Sequence, residues 1–194
     1  MATIKRLCVY CGSSSQVSEA YRRAATDLGT TLARTGIELV YGGGKVGLMA
    51  LCADAVLAGG GQVTGIIPGH LHEREVGHKD LTRLMVVGSM HERKQLMAEM
   101  SDAFVVLPGG FGTLDEAFEI ITWRILSLHD KPVIIVDVAG YWAQLGSLME
   151  HIIAEGFASP ATRRHYQIVP SLDGLFEALA TAPEPAIPTR SKLA

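Results

Sequence analysis

A chain of 194 residues, 48% of them apolar and 19% charged, is long enough to fold into one domain with a large buried core. Its formal net charge of −3 argues against a broad nucleic-acid-binding surface, which requires clustered positive charge. No apolar run approaches the roughly 18–20 residues of a membrane span, and the first residues lack the apolar core of a signal peptide. We therefore expect a cytoplasmic protein that binds neither nucleic acid nor membrane.

Short apolar runs alternate with amphipathic segments along the chain. The alternation predicts strands at 7–10, 37–41, 63–67, 84–87, 104–107, 133–138 and 168–169, and helices at 18–34, 47–58, 90–100, 113–125, 141–155 and 171–180. Residues 68–80 are predicted to form an irregular polar loop, and the proline-containing tail 182–194 is predicted to be flexible. The pattern indicates a single doubly wound, Rossmann-like α/β domain over 1–181, with a mostly parallel sheet of six to seven strands and helices on both faces.

The stretch from Phe104 to Glu116 joins an apolar run to an amphipathic run through a glycine-rich turn. The run at 104–107 predicts a buried parallel strand, and the pattern from Thr113 onward predicts a helix. Glycines let backbone N–H groups approach an anion closely, and the helix presents its positive dipole end to the same place. The stretch therefore predicts a phosphate site. Because Thr113 and Glu116 also match a capping box, Glu116 faces either the backbone or the ligand.

Gly42, Gly44 and Gly47 match the G-x-G-x-x-G pattern of dinucleotide-binding proteins. That fingerprint also requires an acidic residue near the end of the next strand, where this chain has Ile-Ile-Pro at 66–68. The match falls on the second βα unit rather than the first, and no Gly-Lys-Ser/Thr sequence completes a Walker loop. We therefore expect a second anion-binding or close-packing turn here, and no cofactor.

A second capping box, Ser89 with Glu92, opens the helix after the fourth strand. Arg93 and Lys94 follow in its first turn, where the positive end of the helix dipole disfavours cations. The two side chains either form a solvated charged face or lie against an anion held by the turn at 109–113.

The carboxyl ends of parallel strands meet at one edge of a sheet, and ligands bind there. We expect the strands at 84–87 and 104–107 to be neighbours, which would bring Arg93 to the same pocket as Glu116. The loops expected at this edge begin at Gly12, Gly42, Pro68, Ser89 and Pro108.

Two further groups of residues resemble metal or redox motifs. Cys8 and Cys11 match C-x-x-C, but Cys8 lies inside an apolar strand, so buried structural cysteines are favoured over a redox or metal role. The second group fits no zinc spacing, so a loop that supplies specificity is favoured over a metal site, and we expect no metal. It comprises His70, His72, Glu73, Glu75 and His78.

The motifs Ser-Met-His-Glu-Arg-Lys at 89–94 and Pro-Gly-Gly-Phe-Gly-Thr-Leu-Asp-Glu at 108–116 together resemble one family closely. It is the "lonely guy" family of cytokinin riboside 5′-monophosphate phosphoribohydrolases, long mislabelled as lysine decarboxylases. The resemblance covers about residues 5–180 and includes the Cys-Gly-Ser-Ser turn at 11–14 and the Tyr-Gly-Gly-Gly-x-x-Gly-Leu-Met turn at 41–49. One departure is conservative, because Asp115 stands where many members have glutamate.

The resemblance implies hydrolysis of the N-glycosidic bond of an adenine nucleotide 5′-monophosphate, and it implies a homodimer. The catalytic pair of the family falls on Arg93 and Glu116. Substrate contacts of the family fall on Glu75, Lys94, Gly109, Gly110, Phe111, Gly112, Thr113, Leu114, Asp115 and Thr122. Further substrate contacts are expected at Gly12, Ser13, Gly43, Gly44 and Met90.

Three other functions compete with this one. A non-catalytic carrier, similar to molybdenum cofactor carrier proteins, would also use a glycine turn but need not keep Arg93 with Glu116. A broader AMP nucleosidase would perform the same reaction in purine turnover. Lysine decarboxylation is disfavoured because it needs an electron sink such as pyridoxal phosphate on a lysine, and Lys94 is the one lysine near the predicted pocket.

Overall fold

The protein is built around a seven-stranded parallel sheet, as seen in a computed structural model. The structure describes residues 4–75, 77–78 and 80–187, and for residues 73–75 it describes the backbone only. The strands are β1 Arg6–Tyr10, β2 Glu38–Tyr41, β3 Val63–Pro68, β4 Arg83–Val87, β5 Ala103–Val106, β6 Val133–Val136 and β7 Gln167–Val169. The helices are α1 Glu19–Thr35, α2 Gly47–Ala58, α3 Gly69–Glu75, α4 Met90–Met100, α5 Phe111–Ile125, α6 Ala143–Ala154 and α7 Leu172–Thr181, with 3₁₀ turns at Val138–Gly140 and Pro160–His165. The predicted doubly wound α/β fold is confirmed.

The two faces of the sheet carry separate apolar clusters because side chains alternate along each strand. Leu7 and Val9 of β1 lie in one cluster with residues of α1, α2 and α7. Cys8 and Tyr10 lie in the other with residues of α4, α5 and α6. Helices α4 and α5 therefore share one face of the sheet.

The strand order β4-β3-β2-β1-β5-β6-β7 corrects one prediction. Strand β4 lies at the sheet edge, whereas β5 pairs with β1 through registers such as Cys8 with Phe104, so the two strands are not neighbours. The chain runs outward from β1 to β4 and then returns to the other side of β1. Ligand crevices form where the winding direction reverses, which here is the carboxyl end of β1 and β5.

Two local predictions also differ from the structure. Residues 69–75, predicted to be irregular, form α3, whose polar sequence has only Leu71 as an apolar position and so shows no helical periodicity. The sixth strand ends at Val136, and the following 3₁₀ turn places Ala139 at φ 53° and Gly140 at φ 75°.

The carboxyl-terminal segment is described only to residue 187, so most of the predicted flexible tail lies outside the described residues. Within the described part, the Asp130 carboxylate accepts hydrogen bonds from the backbone N–H groups of Ala186 and Ile187. No helix in the described part of the chain is long and apolar enough to cross a membrane.

Candidate active site

Backbone contacts join the glycine turns that follow β1, β2 and β5. The Gly12 N–H donates to the Pro108 carbonyl at 3.0 Å, and the Leu48 N–H donates to the Gly12 carbonyl at 2.9 Å. A Cβ on Gly47, which has φ +63°, would lie 2.3 Å from the carbonyl carbon of Ser13. No side chain fits at that distance, so the turn at 42–47 serves close packing, as one of the two interpretations predicted.

A cavity of about 250 Å³ opens where these turns meet. Residues of the turn after β1 and of helices α2, α3, α4 and α5 line it. Its lining is Cys11, Gly12, Ser13, Met49, Leu71, Met90, Arg93, Gly110, Phe111, Gly112, Thr113, Asp115 and Glu116. Three of these residues were not predicted to contact the substrate. The helix of Leu71 was not recognised, and Cys11 and Met49 occur in turns that the family resemblance includes.

Helix α5 points its first turn at this cavity, and it begins at Phe111 rather than at Thr113. The N-cap is Gly110, which has no side chain to cap the helix. Since the first backbone N–H groups of a helix have no partner within it, those of the α5 first turn are available to a ligand.

The predicted capping box of Thr113 and Glu116 is therefore wrong. The early start makes Thr113 the third residue of the helix, where its hydroxyl packs against Gly109 and the residue is 4% exposed. A Cβ on Gly109 would lie 2.1 Å from the Thr113 Oγ1, so close packing excludes a larger residue there. Glu116 lies one turn further along and faces the cavity.

Arg93 and Glu116 meet across the cavity although they follow strands that are not adjacent. The Arg93 Nη2 lies 3.7 Å from the Glu116 Oε1, and both side chains are about nine-tenths buried. The pair forms because α4 crosses back over the sheet from the edge strand β4 and packs near β1. Burial raises the pKa of Glu116 to about 7, with Arg93 partly opposing the shift.

The position of the Arg93 guanidinium depends on Gly42 at the end of β2. A Cβ on Gly42 would lie 1.8 Å from the Arg93 Nη2, so only glycine leaves room for it. Within the described part of the chain, the Arg93 Nε is buried and has no hydrogen-bond partner. The guanidinium thus keeps donor capacity next to the cavity.

Lys94 does not reach the cavity. Its Nζ lies 3.1 Å from carboxylate oxygens of both Asp115 and Glu119, which links α4 to α5. Burial alone would lower the pKa of Lys94, but its hydrogen bonds to these two carboxylates raise it. The structure therefore gives Lys94 a role in cross-linking the two helices.

At the start of α4, Ser89 caps the helix as predicted, whereas the Glu92 carboxylate bonds the residue before the N-cap and not Ser89 itself. The Glu92 N–H donates to the Ser89 Oγ at 3.1 Å, and the Gly88 N–H donates to the Glu92 carboxylate at 2.7 Å. Arg93 is buried beside this cap, so it is not part of a solvated charged face.

Three other predicted substrate contacts, Gly43, Gly44 and Thr122, do not line the cavity. Gly43 and Gly44 accept hydrogen bonds through their carbonyls from the His78 N–H and the Tyr41 hydroxyl. Thr122 is exposed on α5, two turns beyond Glu116. The side chain of Glu75, at the end of α3, lies outside the described residues.

Members of the two groups that resemble metal and redox motifs are buried in the structure. The His78 Nε2 lies 2.7 Å from an Asp54 carboxylate oxygen, and the described side chains include no metal-binding group of three or more His, Cys, Asp or Glu residues. Cys8, Cys11 and Cys52 are free and buried, and burial raises the pKa of all three thiols. The prediction of buried cysteines is confirmed.

An apolar cleft of about 420 Å³ adjoins the cavity on the other side of the Gly110–Phe111 turn. It lies between the start of α5 and the start of α6. Its lining is Gly109, Gly110, Phe111, Leu114, Tyr141, Trp142, Gln144, Leu145 and Leu148. Gly109 and Leu114 therefore belong to the cleft rather than to the cavity.

Comparison with known proteins shows the family of this chain. Residues 49–179 match a family model described as "Possible lysine decarboxylase". The chain is 45% identical over 190 residues to cytokinin riboside 5′-monophosphate phosphoribohydrolase LOG1 of Arabidopsis thaliana, covering 98% of this chain and 87% of that protein. The chain belongs to the lonely guy family. A rice relative, the probable phosphoribohydrolase LOGL5 of Oryza sativa subsp. japonica, is 47% identical over 171 residues, covering 88% of this chain and 70% of that protein.

Solved structures support the fold of this lonely guy protein. The molybdenum cofactor carrier protein of Chlamydomonas reinhardtii superposes with a TM-score of 0.70 at 19% identity, covering 92% of this chain and 97% of that one. The molybdenum cofactor binding protein of Rippkaea orientalis gives a TM-score of 0.68 at 20% identity, with the same coverage of both chains. At these identities the likeness concerns the fold alone.

Proposed function

We propose that this protein hydrolyses the N-glycosidic bond of adenine-type nucleoside 5′-monophosphates, cytokinin riboside 5′-monophosphate or AMP, and releases the base and ribose 5-phosphate. One observation carries the proposal: a buried arginine–glutamate pair lines the same cavity as the uncapped first turn of α5. The names of relatives about 45% identical over most of the chain support it.

The first turn of α5 supplies an anchor for the 5′-phosphate. The backbone N–H groups of Phe111, Gly112 and Thr113 have no partner within the helix, and Gly110 adds no side chain in front of them. The positive end of the helix dipole adds attraction for an anion at the same point. An anchored phosphate orients the reacting sugar relative to the catalytic pair.

Glu116 acts on the sugar or on the attacking water. Breaking the C–N bond develops positive charge on the ribose, as in other glycoside hydrolysis. A carboxylate with a pKa of about 7 is partly ionised near neutral pH and is basic enough to take a proton from water. Its ionised form also stabilises the positive sugar through space.

Arg93 acts on the leaving base or on Glu116. A guanidinium group is a poor proton donor in general acid catalysis. A fixed positive charge instead stabilises the negative charge that builds on the departing purine. The space left by Gly42 holds the guanidinium in place for this role.

Lysine decarboxylation, the activity in the description of the matched family model, is not supported by Lys94. A lysine that forms a Schiff base needs a lowered pKa, which desolvation or a neighbouring cation provides. Two carboxylates hold the Lys94 ammonium and raise its pKa, which is the opposite effect.

The test is chromatography of the purified protein incubated with AMP and with isopentenyladenosine monophosphate. We expect free base from at least one nucleotide, and the ratio of the two rates identifies the preferred one. Glu116→Gln should reduce turnover by orders of magnitude while nucleotide binding survives. Glu99→Gln, a partly buried carboxylate on α4 that bonds Gln95, is the matched control and should retain turnover.

The opposite results have clear meanings. Turnover of Glu116→Gln within a few-fold of wild type would remove Glu116 from the chemistry. No base from either nucleotide would favour a carrier of a phosphate-bearing ligand, and mass spectrometry of small molecules that copurify with the protein would then identify the cargo.

We also propose that the protein is a homodimer. The end of α5 and its C-cap expose two neighbouring apolar side chains, Ile125 and Leu126, with exposed fractions of 41% and 63%. Exposed apolar patches of this kind mark interaction surfaces. Light scattering should give a dimer mass that Leu126→Asp reduces, and a monomer mass for the wild type would contradict the proposal.

A further inference from the structure

Tyr141 lies outside the cavity but contacts the glycine turn that forms its rim. The Tyr141 hydroxyl donates a hydrogen bond of 2.6 Å to the Gly109 carbonyl, across 32 positions of sequence. The tyrosine follows β6, on the loop that leads to α6. It lines the apolar cleft and not the active-site cavity.

The loop that carries Tyr141 is held in an unusual conformation. Ala139 has φ 53°, in the left-handed region that residues other than glycine rarely adopt. The Asp137 carboxylate accepts a hydrogen bond of 2.6 Å from the Trp142 N–H and so closes the loop. Strained backbone of this kind persists only where the surrounding contacts determine it, and such positions cluster at functional sites.

The ring of Tyr141 is fixed by two aromatic neighbours. Tyr21 of α1 meets it edge-on with ring centroids 5.2 Å apart, and Trp142 does so at 4.7 Å. These contacts leave the ring in place when only the hydroxyl is removed. The hydroxyl can therefore be tested separately from the packing.

The Gly109–Gly110 peptide is the group that this hydroxyl controls. In a trans peptide the C=O and N–H groups point in opposite directions, so a carbonyl tied to Tyr141 turns the Gly110 N–H away from Tyr141. Because glycine has access to most backbone conformations, a peptide between two glycines changes orientation at low steric cost. A bond that selects one orientation is therefore needed.

We propose that Tyr141 is a positioning residue that holds the Gly109–Gly110 peptide with the Gly110 N–H directed to the phosphate anchor at the start of α5. The inference rests on the proposed function, since it assigns the anchor to the 5′-phosphate. It extends the site to the β6–α6 loop, which none of the catalytic motifs includes. Tyr141 touches no reacting atom and acts only through the glycine turn.

The test compares ligands with and without phosphate on Tyr141→Phe and on the wild type. Calorimetry should show ribose 5-phosphate binding about 3–10-fold weaker to the variant, the effect of losing one neutral hydrogen bond. Adenine binding should be unchanged. With AMP as substrate, the loss in kcat/KM should come mainly from KM, since the anchor binds ground state and transition state alike.

Tyr166→Phe is the matched control, because Tyr166 is a buried tyrosine that lines neither the cavity nor the apolar cleft. It should leave the affinity for ribose 5-phosphate unchanged. Equal affinities of wild type and Tyr141→Phe for ribose 5-phosphate would overturn the inference, as would equal weakening for adenine. These binding results stand even if the wild type releases no base, so failure of the proposed function is distinguished from failure of this inference.

Discussion

Replacing Glu116 with glutamine removes its charge but keeps its shape, and this makes the stability of the protein depend differently on pH. Burial raises the pKa of Glu116 from 4.5 to about 7 in the folded state. A raised folded-state pKa contributes stability that is fully present below the unfolded pKa and is lost as pH rises through 7. At about 1.4 kcal/mol for each pH unit, ionisation of this buried group lowers the free energy of unfolding by about 3 kcal/mol.

The glutamine variant has no such titration. We therefore expect the difference in free energy of unfolding, variant minus wild type, to increase by roughly 2–3 kcal/mol between pH 5 and pH 8.5. Urea unfolding at a series of pH values measures this difference, with Glu99→Gln as the control that should show no such trend. Parallel curves for wild type and Glu116→Gln would refute the reasoning, because Glu116 would then titrate near its ordinary pKa.

Three further predictions follow from the same contacts. A plot of kcat/KM for base release against pH should rise with a midpoint near pH 7, as Glu116 loses its proton. A midpoint below pH 5 would contradict the role of Glu116 as the base. Gly42→Ala should lower kcat/KM by about 100-fold by displacing the guanidinium, but should add little in an Arg93→Ala background; additive losses would show that Gly42 acts otherwise. Lys94→Met should lower the free energy of unfolding by about 1 kcal/mol with KM for AMP nearly unchanged, and a large rise in KM would return Lys94 to the substrate site.

Elements with strong local signals could be predicted closely. Helix α4 has the predicted bounds because Ser89 supplies a side-chain cap, and the apolar runs located all seven strands to within two residues at either end. Helix α1 ends at Thr35, one residue beyond the predicted end, and Gly36 follows as its C-cap with φ 70°. Caps and apolar runs involve residues that are close together in the chain, so they can be recognised from the sequence alone.

Signals that depend on distant partners misled the prediction. Thr113 and Glu116 have the letters of a capping box, but the helix begins two residues earlier, at Phe111, with Gly110 as its N-cap. The glycine turn before the helix packs against Gly12, a contact that local periodicity does not show. Arg93 was expected to reach Glu116 through adjacent strands, and it does so through the path of α4 across the sheet instead. The expected contact was found, but the reason given for it was wrong.

By itself, the sequence determined the alternation of strands and helices, the glycine turns at their ends and the two motifs that mark the lonely guy family. The tertiary structure decided which side chains face the cavity, that Lys94 is held by Asp115 and Glu119, and that Tyr141 reaches Gly109. The physical reason is that burial and long-range contact depend on strand order and helix direction, which local periodicity does not encode. The raised pKa of Glu116 has the same origin, since a carboxyl loses its water only when the folded chain surrounds it.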